Sequence, residues 1–217
     1  EKLTEETRAL WLDKFGIRIL EGYGTTEASP VIAVNHPLGY RRGSVGQLLP
    51  KLDYRIDPVD GITEGGELVV RGPNIMVGYL LHGGRGEIIT PNKDPHNTGW
   101  YATGDVVKVD SEHYIEIYDR VKRFAKIGGE MVSLTVVEEI ALTAWPTGEH
   151  AAIAVPDRRK GERIVLFTDV ETAQLSDFIT AARDLTAGEL GIPHQVLHQP
   201  EIPKLGSGKV DYAALRV

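Results

Sequence analysis

Glu21-Gly22-Tyr23-Gly24-Thr25-Thr26-Glu27 packs two glycines, two adjacent hydroxyls and two carboxylates into seven residues at the end of a strand-like run. Glycines let backbone approach a flat or charged ligand. The hydroxyls of Thr25 and Thr26 can donate to phosphate oxygens, and Glu27 can hold magnesium against those oxygens. The plain alternative is a tight turn with a threonine N-cap, and the glycines alone favour that. The run before it, Ile17-Arg18-Ile19-Leu20-Glu21, reads as a strand. Earlier still, Leu3, Thr7, Leu10, Trp11 and Phe15 recur at helical spacing. Thr4 is the expected N-cap, Glu5 and Glu6 favour the first turn, and Gly16 is a natural stop. Helix, glycine, strand is half of an α/β unit, whose strand needs parallel neighbours and crossover helices. Nothing later supplies them, so the opening segment reads as the last repeat of a larger domain.

From Gly43 to Tyr118 the sequence changes to short strands and turns. Gly66 to Arg71 reads as a strand closed by Gly72-Pro73-Asn74, and Asp105–Val109 with Tyr114–Tyr118 as a hairpin. Residues 82–99 are rich in Gly, Pro, Asn and His and read as a loop. A second module begins at Asp119. Lys122–Lys126 and Glu130–Ser133 can pair through Gly128-Gly129. Thr135-Val136-Val137-Glu138 has the spacing of a capping box, which predicts a helix over 135–144, ending before Pro146. Strands are expected at 151–155, 163–170 and 196–197, a helix at 176–190 and a last helical turn at 211–215. The predicted fold class is α+β. Residues 1–118 form the end of an α/β unit and a small antiparallel β-barrel-like subdomain, and 119–217 form a compact α+β domain.

The chain has 217 residues and a formal net charge of -7, with 41% hydrophobic and 25% charged residues. Such a composition suits a soluble globular protein with a sizeable core. The acidic balance argues against a nucleic-acid surface, which rests on clustered Lys and Arg. With no cysteine there is no disulfide scaffold, thiolate metal site or cysteine nucleophile. No apolar run approaches the ~18 residues of a membrane helix. A metal-hydrolase site at His194 and His198 lacks nearby carboxylates.

Three further segments can carry chemistry. Tyr101-Ala102-Thr103-Gly104-Asp105 is a loop ending in an acid that can accept hydrogen bonds from a ribose diol, or is an ordinary turn. Arg120, Lys122, Arg123 and Lys126 put four cations in seven residues at the module boundary, where a solvated hinge is the bland alternative. Gly206-Ser207-Gly208-Lys209 is a flexible loop presenting a lysine, or an exposed tail.

In this order, these segments resemble the acyl-adenylate-forming, AMP-binding superfamily. Gly22 to Glu27, Gly66-Glu67-Leu68 with Arg71-Gly72-Pro73 and Gly78-Tyr79, Tyr101 to Asp105, Asp119-Arg120 with Lys126 and Gly129-Glu130, and Gly206 to Lys209 carry the likeness. Within the superfamily, Lys122 to Leu134 and Leu205 to Lys209 look most like the bifunctional acyl-acyl-carrier-protein synthetase/2-acylglycerophosphoethanolamine acyltransferases. Most relatives carry a proline near Leu134 and often an acid near Arg123.

The resemblance implies a ligase that makes acyl-adenylate from a fatty acid and ATP. The acyl group then passes to the phosphopantetheine thiol of acyl carrier protein, or alternatively of coenzyme A, with a link to lysophospholipid reacylation. By position, Tyr23 and Gly24 flank the adenine, with Thr25 beside them. Thr26 meets the α-phosphate of ATP or AMP, and Glu27 holds Mg2+. Asp105 binds the ribose hydroxyls, helped by Arg120. Lys209 bridges carboxylate and phosphate oxygens. Lys122 is the pivot of the small domain, and Lys126, Gly128 and Gly129 face the site in the thioester-forming pose. The family's Gly/Ser/Thr-rich phosphate loop and its acyl pocket are expected upstream of these residues. The chain is therefore expected to be a soluble C-terminal fragment, inactive by itself. Its parent is expected at the cytoplasmic face of a bacterial inner membrane. Another adenylate-forming ligase, and a non-catalytic nucleotide-binding module, remain open.

Overall fold

The computed structural model describes residues 3–83, 85–91, 99–184 and 189–216. It separates into two units, 1–59 with 63–118, and 60–62 with 119–217.

The first unit opens with α1 (Glu5–Phe15). Thr4 accepts from the Thr7 N–H, and Gly16 ends the helix at φ 65° with its N–H on Leu12 O. Residues 17–21 are not a strand. Their apolar pattern suits one, but pairing begins only at β1 (Gly22–Gly24). That strand joins β2 (Val31–Val34) and β3 (Gln47–Leu48) in an antiparallel sheet of order β1-β2-β3. Arg8 fixes the end of the unpaired segment by an ion pair to Glu21 at 3.1 Å and a hydrogen bond to the Tyr40 hydroxyl.

A second sheet has the order β4-β5-β8-β9, from β4 (Asp53–Asp57), β5 (Gly66–Arg71), β8 (Trp100–Val109) and β9 (Ile115–Arg120). β6 (Tyr79–Leu80), just before the predicted loop, pairs antiparallel with β7 (Ile88–Ile89) inside it; residues 84 and 92–98 of that loop lie outside the described residues. Ala28, Ile32, Ala33, Leu68, Val70, Tyr101, Val107 and Ile115 form the core. No sheet closes into a barrel among the described residues.

In the second unit β10 (Phe124–Ile127) and β11 (Glu130–Ser133) form the hairpin, followed by α2 (Leu134–Ala144). Ser133, not Thr135, is the N-cap, and it accepts from the Val136 N–H at 3.3 Å. Glu138 is drawn into the core instead of reaching back to the cap. β12 (His150–Asp157) and β13 (Gly161–Thr168) pair along their full length, and β14 (Gln195–His198) adds parallel to β13. α3 (Leu175–Asp184) falls on the expected helix, whose residues 185–188 lie outside the described residues, while Glu189–Gly191 is a 3-10 turn and the last turn is a 3-10 turn at Ala214–Arg216. Alternation along β12 explains the packing. Ala152 faces a core with Val137, Ile140, Ala141, Ile164, Leu166 and Phe178, while Ala151 and Ile153 face Ile202 and Leu215. Full burial of a side chain such as Phe178 contributes about 1.5–3 kcal/mol.

Candidate functional site

In the first unit, the turn after β1 is shaped by sterics. Tyr23 pairs with Ala33 but Gly24 pairs with Val31, so the ladder bulges. A Cβ on Gly24 would stand 1.9 Å from Pro30 O, a backbone atom. Only glycine lets the chain turn here into the 3-10 turn Thr26–Ala28. Asn74 clamps the far side, donating to Ala28 O at 2.7 Å and Val31 O at 3.0 Å, while Met76 N–H donates to Glu27 O at 2.8 Å.

A second bulge places Asp105. Val69 pairs with Ala102 and Glu67 with Val106, so Leu68 alone stands opposite Thr103, Gly104 and Asp105. Such extra residues re-aim the side chains of a strand. Gly104 takes φ 75°, a conformation that strains any other residue. Its N–H meets Glu67 Oε1 at 3.2 Å, and Thr103 Oγ1 donates to Leu68 O at 2.9 Å. Asp105, 5% exposed, then accepts from the Tyr23 hydroxyl at 2.5 Å. Burial, followed by the Asp105 charge, pushes the Tyr23 phenol far above its ordinary range, so Tyr23 stays a neutral donor.

Glu27 lies among phenols. Tyr79 donates to its Oε1 at 3.0 Å. Its own backbone N–H, and then Tyr79, Tyr101 and Thr25, hold the Glu27 carboxyl below its ordinary range despite partial burial. In turn Tyr79 is pushed up to about 12 by burial and by Glu27, and burial raises Tyr101. The Thr25 hydroxyl is close enough to act on both neighbours, yet its Oγ1 is buried without a hydrogen-bond partner. A buried polar atom left unsatisfied is costly unless something else supplies the bond. The unit thus brings together Tyr23, Gly24, Thr25, Thr26, Glu27 and Asp105, with Tyr79 and Tyr101 as additions. Those two tyrosines stood in quoted motifs, but their partner Glu27 is distant in sequence and gave no local signal.

The remaining candidates lie in the second unit or at its entry. Arg120 ends β9, and its N–H donates to Asp119 Oδ1 at 2.8 Å. Lys122 is exposed in the 3-10 turn Val121–Arg123. Lys126, Gly129, Lys160, Gly161 and Glu162 line one cleft; Lys126 N–H donates to Glu162 Oε2 at 2.6 Å and Gly128 N–H to Lys160 O at 2.8 Å. Lys209 is exposed on a tight hairpin bridged at Lys204 and Val210, where Leu205 N–H meets Lys209 O at 2.8 Å. Arg123 departs from the expected surface cluster and points inward to Glu138. No group of three or more metal-ligating side chains occurs among the described residues, nor a helix long and apolar enough to cross a membrane.

Residues 1–80 match the family model described as AMP-binding enzyme. Long-chain-fatty-acid–CoA ligase of Salmonella typhimurium is 34% identical over 214 residues, covering 95% of this chain and 37% of that protein. Oxalate–CoA ligase of Arabidopsis thaliana is 29% identical over 207 residues, covering 91% of this chain and 39% of its own length. The crystal structure of ATP-bound MatB from Rhodopseudomonas palustris matches with a TM-score of 0.75 at 28% identity, over 97% of this chain and 42% of that one. The chain is thus similar to AMP-binding enzymes over residues 1–80, and its mixed α+β fold with antiparallel sheets matches that of the solved structures. The fatty-acid relatives carry the name of CoA ligases, not that of the narrower carrier-protein group. The chain spans about 37% of the length of those relatives.

Proposed function

We propose that the protein containing this chain is an ATP-dependent fatty acid ligase that forms an acyl-adenylate and passes the acyl group to a phosphopantetheine thiol. The observation that carries this reading is the meeting of an unsatisfied Thr25 hydroxyl, an ionised Glu27 and a buried Asp105 on two bulged strands. Those groups suit a nucleotide: hydroxyl donors for phosphate, and a carboxylate for a ribose diol.

In the first step a carboxylate oxygen of the fatty acid bonds to the α-phosphorus and the α–β phosphoanhydride breaks, releasing pyrophosphate. Thr25 and Thr26 donate to the phosphate, Asp105 holds the ribose with Arg120, and Tyr23 and Gly24 border the base. Lys209 places a fixed cation on the oxygens that gain charge. Glu27, kept ionised, is the ligand for magnesium, which would neutralise phosphate charge when bound; one carboxylate with phosphate oxygens is the usual way this ion is held. In the second step the thiol sulfur bonds to the acyl carbon and AMP leaves. Lys122 is the pivot between the steps, and Lys126, Gly128 and Gly129 face the thiol path.

Coenzyme A is the acceptor favoured by the names of the fatty-acid relatives. Acyl carrier protein, and with it lysophospholipid reacylation at a membrane, is favoured by the departures over Lys122–Leu134. Thioester formation by the full-length protein with each acceptor tests this. Transfer to one acceptor assigns it, and transfer to neither overturns the reading.

A further inference from the structure

Lys122, Arg123 and Lys126 stand together in the sequence, but the structure separates them. Lys122 and Lys126 are exposed, whereas the Arg123 side chain is 15% exposed. Its Nη2 donates to Glu138 Oε2 at 2.7 Å and its Nη1 to Ala152 O at 3.1 Å. The guanidinium lies 3.9 Å from the centre of the Tyr212 ring. Glu138 Oε1 accepts the Ala152 N–H at 2.7 Å, and the Tyr212 hydroxyl reaches Glu138 Oε2 at 3.4 Å. Four pieces of chain therefore meet at one partly buried ion pair: the turn at Lys122, α2, β12 and the C-terminal segment.

That segment carries Lys209, three residues before Tyr212. The Lys209 hairpin is exposed throughout 204–209 and holds itself by few bonds. Its first residue, Lys204, pairs with Glu149 at 2.5 Å, and apolar anchorage lies on either side, at buried Ile202 before it and at Val210, Tyr212 and Leu215 after it. Of these anchors, Tyr212 lies against Arg123 of the turn next to Lys122.

We propose that Arg123 and Tyr212 are positioning residues that couple the Lys209 hairpin to the Lys122 turn, so that rotation at the pivot carries Lys209 as a rigid arm. The proposal rests on the roles given above to Lys122 and Lys209. A buried ion pair adds little net stability over apolar filling, but removing one partner is costly, which suits a joint that must hold one geometry. Placement matters because an error of ~1 Å at a reacting group costs roughly a hundredfold in rate.

The test has two arms. In the 217-residue chain, amide hydrogen exchange is followed at Leu205, Gly208 and Asp211, whose N–H groups bond to the carbonyls of Lys209, Leu205 and Pro203 respectively. Tyr212→Leu should speed exchange there about tenfold or more while the α2 amides of Val137–Ala141 keep their protection, and Tyr212→Phe should behave as the parent. In the full-length protein, Tyr212→Leu should lower kcat for adenylation roughly ten- to a hundredfold, leave transfer from supplied acyl-adenylate within about twofold, and be rescued by Phe. Unchanged exchange at the hairpin, equal loss of protection in α2, or equal loss of both half-reactions would overturn the coupling. If the parent itself forms no acyl-adenylate, the functional reading fails, and the exchange arm still decides whether the hairpin is coupled to the turn.

Discussion

Replacing Asp119 with alanine should destabilise the second unit selectively. Asp119 is 8% exposed. Its Oδ2 accepts from Ser133 Oγ at 2.6 Å and from the Thr135 N–H at 3.2 Å, and its Oδ1 accepts from the Arg120 N–H at 2.8 Å. Two of these donors lie at the start of α2, where a negative charge also meets the positive end of the helix dipole. Hydrogen bonds to a charged group contribute about 1.5–3 kcal/mol each, and bonds sharing one carboxylate do not add fully. A loss of about 3 kcal/mol is expected, with about half that for Asp119→Asn, which keeps an acceptor but not the charge. For a unit of this size, the midpoint should fall by roughly 12–24 °C for alanine. Trp145 reports the transition, because it is 9% exposed in the core of the second unit while Trp11 and Trp100 lie in the first. Its emission is read during heating in a Trp11→Phe, Trp100→Phe background. A midpoint for Asp119→Ala within about 2 °C of the parent would refute the reasoning.

Three other outcomes are expected. Lys209→Ala in the full-length protein should slow adenylation by roughly a hundredfold or more, from the ~2.7–4 kcal/mol that a fixed donor on developing charge supplies, and spare acyl transfer; equal losses in both steps would make Lys209 structural. Gly24→Ala should disrupt the β1–β2 turn and lower AMP affinity measured by calorimetry, because the clash at 1.9 Å is with Pro30 backbone and no side chain can relieve it; parent-like affinity would count against the turn as part of the site. His150 shares hydrogen bonds with Thr168 Oγ1 and Trp145 O, and burial holds it below its ordinary value of 6.5. A lowered histidine favours the folded state only while neutral, so this stability is present above pH 6.5 and is lost as pH falls towards the folded value. His150→Gln should flatten that loss in denaturant titrations from pH 7 to 5, and an unaltered slope would refute it.

Much of the second unit could be read locally. The apolar Ala/Ile/Val run of β12, the Ile164-Val165 core of β13, the Gly128-Gly129 turn and the apolar stripe of α2 each announce their element within a few residues. What could not be read depends on partners far along the chain. Ile17–Glu21 has the composition of a strand but pairs with none among the described residues, which supply no parallel neighbour for it. The spacing of Thr135 and Glu138 fits a capping box, yet Arg123 and the Ala152 N–H draw Glu138 into the core and Ser133 takes the cap. Arg123 looks like its exposed neighbours until Tyr212 and Glu138 are folded against it. At the site, the motif residues were legible as chemistry, but the bulge that aims Asp105 at Tyr23, and the phenols around Glu27, arise from pairing between β5 and β8 and from the approach of Tyr79.

Carboxylate-dependent exchange of pyrophosphate into ATP by the full-length protein tests the central claim most directly. A long-chain fatty acid with magnesium should start the exchange. Glu27→Gln should weaken it and make it demand more magnesium, and Lys209→Ala should abolish most of it. Exchange that no carboxylate stimulates, or that proceeds at the parent's rate in both variants, would contradict the assignment of these residues to adenylate formation.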